Sequence, residues 1–230
     1  MTRGMRAVTV AVLFCFLGFL WPQIGFSQFR DLLKKKEGPK VDLEGLSSRA
    51  EAVKSLVSKA TISYAEAVVD IQEASGKKEQ AEKIKQNIAN VKSKYTDENM
   101  RVLMKDVNNG AAEIKKTNSL AQINEAEAKK FMGSAILKVG VGSILDGMAT
   151  KNASVLVKDA QAALKQTSIS SAGKVKDVID CGQFVMQEVP PQVTSMDAFG
   201  GELIDYSKAK GIPYPSPEEI AQKAKMVEKE

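Results

Sequence analysis

The sequence predicts an all-α protein: an elongated antiparallel helical bundle with coiled-coil-like seams and a short C-terminal helical appendage. Three observations carry that prediction. Apolar residues recur in alternating steps of four and three along much of residues 41–190, the spacing that keeps one stripe on one side of a helix. No useful length of the chain alternates apolar and polar residues at the period of two that a half-buried strand needs. Glycine, proline and capping residues fall where such helices would end.

The chain opens with a segment of a different kind. Arg3 and Arg6 form a basic start, and from Ala7 to Trp21 only Thr9 and Gly18 interrupt an apolar run that Pro22 stops. Gly25 and Ser27 place small residues at the −3 and −1 positions of a cleavage site. Residues 1–27 therefore read as a secretory signal peptide, with a mature chain beginning at Gln28. The apolar run falls short of the ~20 residues that span a bilayer. Phe14 is too large to precede a lipidated Cys15, so a lipid anchor there is not expected. Residues 28–40 follow as a basic lead-in containing Lys34-Lys35-Lys36 and Gly38-Pro39. Three lysines there read as a solvated tail more readily than as a lipid contact.

The bundle is expected over 41–190. Its first stripe is Leu46, Ala50, Val53, Val57, Ala60, Tyr64, Ala67, Ile71 and Ala74, whose alanines call for close approach of a partner helix. Ser75-Gly76-Lys77 breaks the stripe, either as a turn or as a stutter in one long helix. Ala81, Ile84, Ile88, Val91 and Tyr95 form a second stripe. Thr96 or Asp97 then caps a third helix lined by Met100, Leu103, Val107, Ala111 and Ile114. Asn108-Asn109-Gly110 is its weak point, because that triplet also suits a turn. Beyond a polar, alanine-rich stretch, Val155, Leu156, Ala160, Ala163 and Leu164 suggest a short helix. Val175, Val178, Gly182, Val185 and Val189 suggest another, ended by Pro190-Pro191. Residues 191–230 read as a separate tail: a short helix over 196–207, an extended Gly211-Ile212-Pro213-Tyr214-Pro215 connector, and a final helix. Ser216-Pro217-Glu218-Glu219 has the cap, the first-turn proline and the N3 glutamate of a helix start.

The least ordinary segment is 131–149, where Gly133, Leu137, Gly140, Ile144 and Gly147 alternate glycine with large aliphatics on one face. Each helical glycine costs about 1 kcal/mol relative to alanine, so packing has to supply compensation. These five residues are the expected helix-packing or membrane-contact surface. Three readings stay open: a buried, closely packed helix; an apolar hairpin turning at Gly140-Val141-Gly142; and a membrane-crossing helix. Lys138 and Asp146 oppose the last, each costing about 2.5–3.5 kcal/mol near the bilayer centre.

Composition narrows the chemistry. The chain has 33 Lys and Arg against 28 Asp and Glu, a mild excess spread along the sequence rather than the basic stripe that nucleic acid requires. It has no histidine, the commonest general base and metal ligand. Cys181 is the one cysteine outside the leader, so no internal disulfide is expected. Asp177 and Asp180 beside it would raise the thiol pKa rather than activate it. No motif for calcium, phosphate or a clustered metal is present, no catalytic residue or cofactor is expected, and no small-molecule substrate is indicated. These features point to an exported, periplasmic or extracellular, non-enzymatic envelope protein. Protein–protein contacts or self-association would be its mode of action. The alternative is a membrane-active or lipid-binding protein using 131–149.

Overall fold

A computed structural model of the protein describes residues 42–230, with the backbone alone at 169 and 170. The expected signal peptide and basic lead-in lie outside the described residues. Six α-helices and no strand are found among the described residues. They are α1 (Leu43–Ala74), α2 (Lys78–Ser93), α3 (Asp97–Lys116), α4 (Glu125–Leu164), α5 (Ile169–Lys210) and α6 (Pro217–Lys229), with a 3₁₀ turn at Ser119–Gln122.

Cross-helix pairs fix the direction of each helix. Lys85–Glu73 and Lys92–Glu66 lay α2 antiparallel to α1. Lys138–Asp70 and Arg49–Asp159 do the same for α4. The contacts Cys181–Ala50 and Thr61–Gln192 run α5 parallel to α1, and Arg101–Glu188 and Lys115–Glu202 run α3 parallel to α5. On α4, Gly133 faces Pro213 and Gly140 faces Ile220, so α6 runs alongside α4 in the same direction. The helices thus alternate up and down through the chain. The long α1, α4 and α5 form the core, and α1 touches every other helix.

The first stripe folds as its periodicity predicts. Val57, Ala60, Tyr64, Ala67 and Ile71 are all fully buried. Gly76 sets the end of α1 by adopting φ +80°. The Lys77 and Gly76 amides then bond back to Gln72 O (2.7 Å) and Glu73 O (3.0 Å), closing the orphan carbonyls of the last turn. The break at 75–77 is therefore a turn, not a stutter. Thr96 caps α3 by accepting from the Asn99 amide at 3.1 Å. Asn108-Asn109-Gly110 stays helical because Gly110 is the point at which α3 meets α1: a Cβ there would lie 2.7 Å from Val68 Cγ1.

Two expected breaks are absent. The short helix at 155–164 is the C-terminal part of the 40-residue α4. Pro190-Pro191 does not end a helix; it lies inside the 42-residue α5, so the tail boundary placed at 190 falls mid-helix. The physical reason is exposure. Both prolines face solvent, so water can satisfy the carbonyls of Met186 and Gln187 that lose their amide donors. Buried Val185, Val189, Gln192 and Met196 hold the opposite face through the interruption. The expected connector at 211–215 is non-helical past its first residue, Gly211, which caps α5 with φ +64°. Ser216 and Glu219 form the capping box of α6, with reciprocal bonds of 3.2 and 2.7 Å.

Candidate functional site

The segment 131–149 is one uninterrupted stretch of α4, so the hairpin reading is overturned: neither Gly140 nor Gly142 has a positive φ. Burial divides the helix into two stripes. The deeper one is Met132, Ala135, Val139, Gly142, Asp146, Ala149, Ala153, Leu156 and Ala160. It keeps steps of three and four and packs into the long-helix core.

The five expected surface residues lie on a neighbouring, shallower face and do not act as one unit. Gly133 and Gly140 seat the C-terminal segment: Pro213 O lies 3.5 Å from where a Gly133 Cβ would be, and Ile220 Cγ2 lies 2.6 Å from the Gly140 position. Leu137, between them, is half-buried against the core. Farther along, Ile144 is 37% exposed and Gly147 has no side-chain neighbour within 4 Å. Val155, three turns beyond Ile144 on the same face, is 46% exposed. A shallow groove lined by Arg49, Ala52, Val53, Asn152 and Val155 continues this strip between α1 and α4. Exposed Lys151 and Lys158 lie along one edge of the Val155 strip.

The deeper stripe holds the residues that periodicity alone did not single out. Tyr64 of α1 lies flat on Gly142, its ring carbons 2.6–2.9 Å from where a Cβ would stand. Its hydroxyl donates to Ser143 Oγ at 3.3 Å, and Ser143 in turn donates to Asp197 Oδ1 at 2.7 Å on the rim. One turn along α4 from Gly142, Asp146 is fully buried, and neither carboxylate oxygen has a hydrogen-bond partner. Burial pushes its carboxyl well above the ordinary carboxylate range. The hydroxyl of Tyr64 opposes that shift only in part, and the negative Asp197 adds to it. Burial therefore disfavours the ionised form of Asp146, as an unpaired buried charge is costly. Thr61, one turn along α1 from Tyr64, donates to Gln192 Oε1 of α5 at 3.2 Å, leaving Gln192 Nε2 without a partner. A sequence signal for this layer existed: Asp146 stands four residues after Gly142, on the same face of an otherwise apolar stretch.

Lys138, the other charge in the segment, is paired with Asp70 at 2.7 Å. Cys181 is buried, with Sγ 3.8 Å from Ala50 O, and burial raises its thiol pKa to about 11. No group of three or more metal-ligating side chains occurs among the described residues. No protein family, curated protein or solved structure matches the chain.

Proposed function

We propose that the chain is an exported, non-enzymatic helical protein of a bacterial envelope that works by binding another protein. The contact surface would be the outer strip of α4 and the groove beside it. The observation that carries this reading is the apolar surface exposed on α4 and α6. Ile144 and Val155 lie on α4, and Met226 on α6 is 53% exposed. Apolar side chains grouped in this way favour association. Lys151 and Lys158, along one edge of the strip, suit a partner helix with an apolar face and one acidic edge. The leader-like residues 1–27 supply the route out of the cell.

A photo-reactive residue at Val155, activated in the native envelope, tests the proposal. A protein adduct is expected, and it should be lost when Val155 is probed with Ile144→Asp in place. Labelling of lipid alone would overturn it.

A second reading, lipid binding through 131–149, rests on one observation. An 18-residue window of α4 reaches a mean hydropathy of 1.3 with only 44% of it buried. Flotation of the purified protein with liposomes would favour that reading over the first.

A further inference from the structure

The three-helix core contains a polar layer that neither packing nor the contact surface explains. Three of its side chains are fully buried: Thr61 from α1, Asp146 from α4 and Gln192 from α5. They share one level of the bundle. Thr61 and Asp146 each lie a turn beyond the Tyr64–Gly142 contact, on antiparallel helices, and Gln192 is bonded to Thr61. Two unpartnered acceptors on Asp146 and an unpartnered amide on Gln192 remain. A seam position occupied by a polar residue lowers stability and fixes register. A carboxyl there adds sensitivity to protons.

We propose that Thr61, Asp146 and Gln192 form a titratable latch: neutral Asp146 lets α4 close on α1 and α5, and ionisation of Asp146 opens that seam. The titratable groups acting on Asp146 are Tyr64 of α1 and Asp197 of α5, and no lysine or arginine from α6 or any other described helix offsets its charge. Once ionised, Asp146 faces Asp197 as a like charge across the α4–α5 seam. Opening is then the available relief, because the core offers no counter-ion.

The sign of the linkage follows. Asp146 in the unfolded chain titrates near pH 4, and in the fold it stays protonated to higher pH. Its stabilising contribution is therefore complete below about pH 4. It declines as pH rises toward the folded value, the folded-to-unfolded ratio falling about tenfold per pH unit. Tyr64 and Cys181 titrate only at alkaline pH in the fold, outside the range from 4 to 8.

Denaturant unfolding of the purified protein and of Asp146→Asn between pH 4 and 8 measures this directly. The ratio of their unfolding constants should change by about tenfold per pH unit from about pH 4 up to the folded pKa of Asp146, with Asp146→Asn the more stable at the upper end. Parallel profiles would overturn the latch. Infrared spectroscopy decides the matter even where Asp146→Asn does not fold. Followed upward in pH from about 4, a protonated carboxylic-acid band should persist in the native protein beyond the pH at which it is lost from the unfolded chain. A native spectrum containing carboxylates only would overturn the latch equally.

Discussion

Gly142 and Gly147 lie five residues apart in the same helix, and replacing each with alanine should move stability in opposite directions. Helix propensity favours alanine at both by about 1 kcal/mol. At Gly147 nothing lies within 4 Å of the added methyl, so Gly147→Ala should stabilise by about 0.5–1 kcal/mol. At Gly142 the methyl would stand 2.6 Å from Tyr64 Cε1 and 2.7 Å from Cδ1, against about 3.5–4.0 Å for an ordinary carbon contact. The ring must retreat by about 1 Å, yet Tyr64 is fully buried among α1, α4 and their neighbours. Overpacking of this kind costs about 1–3 kcal/mol. With a rigid ring as the obstacle we take the upper figure, leaving a net loss of about 2 kcal/mol once propensity is subtracted. The two variants should then differ by about 3 kcal/mol, on the order of a hundredfold in the folded-to-unfolded ratio. Urea unfolding followed by far-ultraviolet circular dichroism measures both. Equal stabilisation by the two alanines would refute the close α1–α4 approach at Tyr64.

Other perturbations probe separate parts of the bundle. Val57→Asp puts an unpaired charge at a fully buried position and should cost more than about 4 kcal/mol, seen as loss of cooperative thermal unfolding. Ser216→Ala removes one half of the α6 capping box and should cost about 1 kcal/mol, read as faster amide exchange in α6. Gly140→Leu would collide with Ile220, so limited proteolysis should cut the 211–216 connector sooner while α1–α5 stay resistant. Cys181, with a thiol pKa near 11 and a buried site, should resist alkylation at pH 8 in the native protein and react promptly in denaturant.

Much of this architecture was legible because its helices obey simple periodicity. The stripes of α1, α2 and α3 and the Ser216 capping box follow from local rules, which also narrowed the break at Gly76 to a turn or a stutter and the α3 cap to Thr96 or Asp97. Where local rules failed, the surroundings had changed the cost. Pro190-Pro191 looked terminal, but both prolines lie on the exposed face, where a local distortion and hydration of the freed carbonyls cost least, while the buried face of α5 packs on through the interruption. In α4 the glycine stripe imitated a seam. The true seam is offset by one to two residues and was hidden by Asp146, since a carboxylate ordinarily marks an exposed face. Periodicity cannot report that burial disfavours the ionised form of a carboxyl. Nor could it show that Gly133 and Gly140 serve α6 while Ile144 and Gly147 do not, because that division depends on the path of the helix, whose Glu228 carbonyl accepts from Lys59 of α1.

Amide hydrogen exchange resolved along α4 tests most directly whether this helix is a continuous element of the core. Protection should run without a gap from 132 to 160, deepest at the amides around Val139, Gly142 and Ala149, and should be unchanged by added liposomes. Rapid exchange confined to 140–142, or protection of 131–149 that appears only with lipid, would contradict it.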